Sequence, residues 1–194
     1  MDGNNLFRAR DTRNNTVVAV KLGHFIPEED NEVQVQKYMS NLRARNPLHT
    51  DHINFFASPG YLTFGDYRVT VYDYVSGWTL SKHIYPMVRE HARDVITQLL
   101  YAINWLHTNG ITHNGLISKT VMLSTLQNGN LHATILDFKI AQFSQSTPGR
   151  KANITRCDMY DFCAIAYNIL GGYDFTEEFE LVSGYYYNGV LPYL

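Results

Sequence analysis

The stretch 89–107 constrains the fold more than any other part of this chain. Ala92, Val95, Ile96, Leu99, Ile103 and Leu106 recur at three- and four-residue spacing, which predicts an amphipathic helix with one apolar stripe. Asn109-Gly110 should end it in left-handed geometry. A single apolar stripe needs another layer to cover it, and most of the remaining pattern is strand. Residues 6–10 and 16–22 read as strands around the polar turn Asp11–Asn15, the second opening on the β-branched run Thr16-Val17-Val18. Strands are also predicted at about 53–64 and 67–75, turned at Gly65-Asp66, with Gly77 breaking the element. Gln127-Asn128-Gly129-Asn130 between Val121-Met122-Leu123 and Ala133-Thr134-Ile135-Leu136 is a hairpin signal.

Two further helices are predicted. One begins near Pro27 with Glu28, Glu29 and Asp30 in its first turn, where negative charge favours a helix start, and runs to about Leu42. Its stripe would be Val33, Val35, Tyr38, Met39 and Leu42, followed by a polar loop over 43–52. The other spans about 158–170, with Asp158 as cap and Gly171-Gly172 as stop. The order points to an α+β protein, β-rich in front and helical behind.

The chain's 194 residues suffice for one core or for two small lobes sharing a cleft. A net charge of −2, with Lys and Arg scattered, argues against nucleic acid and acidic membranes as partners. No apolar run approaches the roughly 20 residues of a membrane helix. With no signal-peptide pattern, the expected setting is cytoplasmic, and the sequons at Asn14 and Asn153 are chance matches. Cys157 and Cys163 match neither a zinc pair nor a redox pair, and read as buried or half-buried thiols on one helix.

Three short segments carry chemistry. Val18-Ala19-Val20-Lys21, His113-Asn114-Gly115-Leu116 and Leu136-Asp137-Phe138-Lys139 resemble, in order and spacing, the landmarks of the eukaryotic-type protein kinase superfamily. The run Trp105–His113 is the most specific match, and the likeness covers roughly residues 5–172. It implies a two-lobe kinase-like fold with a β-rich N-lobe at 1–75 and a reduced helical C-lobe at 76–194. It further implies that Lys21 anchors nucleotide phosphates with Glu32 as its helix partner, and that Asp137 holds a divalent metal. Tyr72 would stand at the rear gate of the nucleotide pocket, and Asp73, Tyr74 and Val75 would form the hinge against adenine. His113 and Asp158 would be structural, the latter bracing the catalytic loop.

Departures from the family pattern are concentrated in that loop. Asn114 stands for arginine, Gly115 for the catalytic base, Ile117 for the loop lysine and Thr120 for a metal-binding asparagine. A positioned acid–base group contributes about 10²–10⁴ in rate, and glycine offers none. Lys139 replaces the glycine after Phe138, either supplying a positive charge in place of Mg²⁺ or pointing to solvent. Only Gly3 precedes Leu6, so most of the phosphate-covering glycine loop is missing from the pattern, and the helical part is short, as expected of a chain reduced at both ends.

The expectation is a degenerate kinase homologue, a pseudokinase, that binds a protein partner as scaffold or regulator. That partner would be an active kinase or a second copy, with ATP and Mg²⁺ at most weakly bound. The tail around Tyr185-Tyr186-Tyr187 has the composition of an interface, or of a segment packed on its own core. Two alternatives stay open: an atypical kinase or nucleotidyl transferase using Lys21 and Asp137, and an ATP-binding switch without turnover.

Overall fold

Val17-Val18-Ala19-Val20 carries stiff, branched side chains that suit a pleated surface, and it forms the start of β2 (Val17–His24). β2 pairs antiparallel with β1 (Leu6–Arg10), from Leu6↔Lys21 to Arg10↔Val17. The computed structural model describes residues 6–24, 31–48, 50–65, 67–83, 87–143 and 148–171, with the side chains of 24, 58, 59 and 148–156 left aside. The predicted first turn at Pro27–Asp30, the tyrosine-rich tail, Gly3, Asp66 and Gly172 lie outside these residues.

Helix α1 (Asn31–Arg45) crosses to β3 (Phe56–Phe64) and β4 (Tyr67–Asp73). Among the described residues the strands form a four-stranded antiparallel sheet in the order β1-β2-β4-β3. On α1, Val33, Val35 and Met39 are buried as the stripe predicts. Tyr38 is not: it is exposed and stacks edge-on against Phe143 at 5.2 Å. In its place the buried face carries Glu32 and Gln36.

Behind the sheet come β5 (Trp78–Thr79), a 3₁₀ turn at Leu80–Lys82, and α2 (Arg89–Thr108). Ala92, Val95, Leu99, Ile103 and Leu106 are buried, and Gly110 stops α2 at φ +72°. After β6 (Ile111–Thr112), β7 (Val121–Thr125) and β8 (Leu131–Ile135) form the predicted hairpin, with Gly129 at φ +84° in its turn. Gln98 ties α2 to that hairpin, donating to the Leu131 carbonyl at 2.9 Å and accepting from the Ala133 N–H at 2.7 Å. Gly77 is required by close approach: a Cβ there would lie 1.9 Å from the Leu123 carbonyl oxygen.

β9 (Gln142–Phe143) pairs with β6, and α3 (Pro148–Gly171) packs on α2. α3 begins ten residues before Asp158, so Asp158 is not its cap. Pro148 opens the helix, where a missing N–H costs nothing. Both thiols on α3 are exposed, contrary to the buried reading. The result is an α+β molecule with one continuous core running from α1 through α2 and the hairpin to α3.

Candidate functional site

Lys21 is central to the site because β2 lies between β1 and β4, which fixes its backbone on both sides. Its Nζ lies 3.1 and 3.2 Å from the two Glu32 carboxylate oxygens and 3.5 Å from Asp137 Oδ1. Glu32, in the first turn of α1, is only 2% exposed; Asp137 is 52% exposed. The structure therefore joins the sheet, α1 and the segment after β8 through one ammonium. Asp137 has φ +60°, a left-handed conformation that Asp tolerates better than most residues.

Two further neighbours of Glu32 come from β4, and one of them, Arg68, gave no signal in the sequence pattern. Arg68 Nη2 lies 3.6 Å from Glu32 Oε2, and the Tyr72 hydroxyl donates to Glu32 Oε1. Burial, followed by the charge of Glu32, pushes the Tyr72 phenol far up, so it stays a donor. Arg68, Thr70 and Tyr72 alternate along β4 and share its inward face, a period-two relation that only the strand assignment brings out. Tyr72 thus shares with Lys21 the carboxylate of Glu32. At the positions expected to form the hinge, Asp73 donates its N–H to the Phe55 carbonyl at 3.0 Å, and Arg8 lies over the Tyr74 ring at 5.2 Å. Val75 is partly buried.

The loop after β6 hangs on α3. Asp158 is fully buried and accepts hydrogen bonds from the His113 N–H, the Asn114 N–H and His107 Nε2, each at 2.8 Å. The His113 ring accepts the Gly115 N–H at Nδ1 (3.2 Å), so Nε2 carries the proton and donates to the Leu136 carbonyl (2.9 Å). Burial lowers its pKa, favouring the neutral ring. Phe138 is fully buried and stacks edge-on against His113 at 4.9 Å. Next to the brace, Asp161 is pushed up to about 7, first by burial and then by the Asp158 charge.

The altered loop positions have other structural roles. Asn114, at φ +59°, donates its side-chain amide to the Ile140 carbonyl at 3.3 Å. A Cβ on Gly115 would lie 2.8 Å from the flexible, half-exposed tip of the Ile140 side chain, which would have to shift to admit a larger residue. The Thr120 hydroxyl lies 3.0 Å from the Gly115 carbonyl, the Ile117 carbonyl and the Ile117 N–H, which closes the loop on itself. Ile117 is partly buried and Lys139 exposed. Asn31, at the start of α1, donates to the Ala141 carbonyl and so fastens the segment after Phe138.

No family model matches the chain. Among curated proteins it is 26% identical over 153 residues to the probable serine/threonine-protein kinase PknB of Lactococcus lactis, covering 77% of this chain and 23% of that protein. It is 26% identical over 169 residues to serine/threonine-protein kinase PknD of Mycobacterium tuberculosis, covering 82% of this chain and 23% of that one. The chain thus spans about a quarter of the length of these relatives. Among solved structures, the PF14_0431 kinase domain superposes with a TM-score of 0.68 at 16% identity over 89% of this chain and 62% of that one. The kinase domain of Rad53, solved with SCD2 and AMPPNP, superposes with a TM-score of 0.61 at 19% identity, covering 89% and 64%. The fold is that of a protein kinase domain, in two lobes. In sequence the chain is similar to serine/threonine-protein kinases over about four fifths of its length.

Proposed function

We propose that this chain is a catalytically impaired kinase homologue that works by binding, as scaffold or allosteric regulator of a protein partner in the cytoplasm. The partner class is an active kinase or a second copy of the chain, rather than nucleic acid or membrane. The observation that carries this reading is Gly115: it brings no acid–base group, and the Ile140 side chain stands beside it. Thr120 adds to it, since its hydroxyl is bonded within its own loop.

The residues fit ATP with one divalent ion in part. Lys21 would hold phosphate oxygens and Asp137, half exposed, would supply one carboxylate to the metal. The metal would neutralise phosphate charge. Among the described residues no group of three His, Cys, Asp or Glu side chains is arranged to hold an ion. Weak nucleotide binding follows from this reading. Incubation with labelled ATP and Mg²⁺ or Mn²⁺ should give no incorporation above Lys21→Ala and Asp137→Ala controls. Incorporation that disappears in both variants would instead establish the atypical kinase or nucleotidyl transferase.

The cluster of Lys21, Glu32 and Asp137 favours a second reading, an ATP-binding switch without turnover. A thermal shift with AMPPNP that Lys21→Ala abolishes would support it, because a ligand that binds only the native state must stabilise it. Light scattering over a concentration series tests the second copy as partner.

A further inference from the structure

We infer that Arg68 and Gln36, rather than Lys21, set the docked position of α1. This goes beyond the functional reading and stands whether or not the chain binds nucleotide. The Glu32 carboxylate is almost wholly removed from water, and a charge in such a place must be compensated or its burial is strongly unfavourable. Among the described residues three groups approach it: Lys21 Nζ, Arg68 Nη2 and the Tyr72 hydroxyl. They are not equivalent. Lys21 is 30% exposed and is shared with Asp137 across the cleft. Arg68 is 13% exposed and stands with Tyr72 on β4, which, like the strand of Lys21, is paired on both sides. Two of the three partners therefore come from one rigid strand, and neither depends on the lysine.

Gln36 supplies the second point of attachment, one helical turn further on. It is fully buried, donates to the Asn54 carbonyl at 3.1 Å and accepts the Phe56 N–H at 3.2 Å, so both halves of its amide are used on the entry to β3. Two polar attachments four residues apart on one helix face fix the rotation of α1 as well as its distance from the sheet. Lys21 takes part in only one of them. Its removal leaves Glu32 facing Arg68 and Tyr72, and leaves Gln36 untouched. Loss of Arg68 leaves the carboxylate to the Tyr72 hydroxyl and to a more exposed ammonium that Asp137 also attracts. Arg68 and Gln36 are thus positioning residues for the site, acting through Glu32 and the backbone of β3.

The test is amide hydrogen exchange of residues 31–45, with α2 as internal control for global opening. Arg68→Met and Gln36→Leu should each accelerate exchange in α1 by on the order of ten-fold relative to α2, about the effect of deleting one partner of a buried hydrogen bond. Lys21→Met should change it by less than about three-fold. Arg68→Lys should recover much of the protection, and so should Glu32→Gln added to Arg68→Met, because no buried charge then needs a partner. A mere packing defect would not respond to that second change. The inference fails if Lys21→Met loosens α1 as much as Arg68→Met, if α1 is unmoved in Arg68→Met, or if Glu32→Gln gives no recovery. Should Arg68→Met not fold, Gln36→Leu set against Lys21→Met still decides the matter, since equal loosening in those two overturns it.

Discussion

The two sides of the site are held together in different ways. On the sheet side, Lys21, Glu32 and Tyr72 form a charged cluster fixed by strand pairing and by the buried polar side chains of α1. On the helix side, the backbone of the loop 113–120 is braced by Asp158, while the Asn114 and Thr120 side chains bond to the neighbouring segment and to the loop itself. The difference teaches that scaffold and chemistry are separable here. A brace made to the backbone N–H groups of His113 and Asn114 is indifferent to the side chain carried at position 114. The sheet side has no such freedom, because its bonds are made by the side chains themselves.

The sharpest way to break this contrast is to remove the brace. Asp158→Ala leaves two buried N–H groups and His107 without their acceptor, and should cost about 3–5 kcal/mol in chemical denaturation, each orphaned donor contributing about 1–3. If the loss is below about 1 kcal/mol, the loop is held by something else. Next, Thr120→Val should cost about 1–2 kcal/mol by the same measurement, through the hydroxyl that closes the loop, with no change in AMPPNP response. A changed nucleotide response would bring Thr120 back into the site.

Asp161 sharpens the comparison through pH. Its carboxyl is raised from 3.8 to about 7 in the folded protein, so the unfolded chain binds fewer protons between those values. Stability should therefore fall as pH rises from about 4 to 7 on this account, with the whole penalty present above 7. Asp161→Asn should stabilise the protein at pH 8 by about 1–2 kcal/mol, a figure reduced for partial exposure, and do almost nothing at pH 4. His113 works in the other direction: its lowered pKa removes stability as pH falls below about 6.5. The smallest effect belongs to Lys21→Met, within about 1 kcal/mol of the parent because the lysine is partly exposed and Glu32 has other partners. A larger loss would make the sheet side as dependent on its lysine as the loop is on Asp158.

Elements with a strong period are legible in the sequence. The α2 stripe, the β7–β8 hairpin and the β1–β2 and β3–β4 pairs follow from spacing and turn chemistry. Lys21 and Asp137 are legible because short motifs mark them. What stays hidden is polar and buried. Gln36 and Arg68 read as surface residues in any hydrophobicity pattern, and only the tertiary arrangement shows that each faces a partner. The start of α3 is misplaced in the sequence reading for a related reason. Residues 148–157 have little apolar periodicity, so Asp158 reads as a cap, when it is in fact a mid-helix acceptor for another element's backbone. Ile140 gives no signal at all, since its importance lies in the missing side chain opposite.

That last neighbour sets a mild condition on the site. A side chain added at position 115 would meet the Ile140 terminal methyl 2.8 Å from its first carbon, and because that tip is flexible and half exposed it can swing aside at little cost. Ile140 thus acts as a yielding cover over the bare α-carbon rather than as a wall.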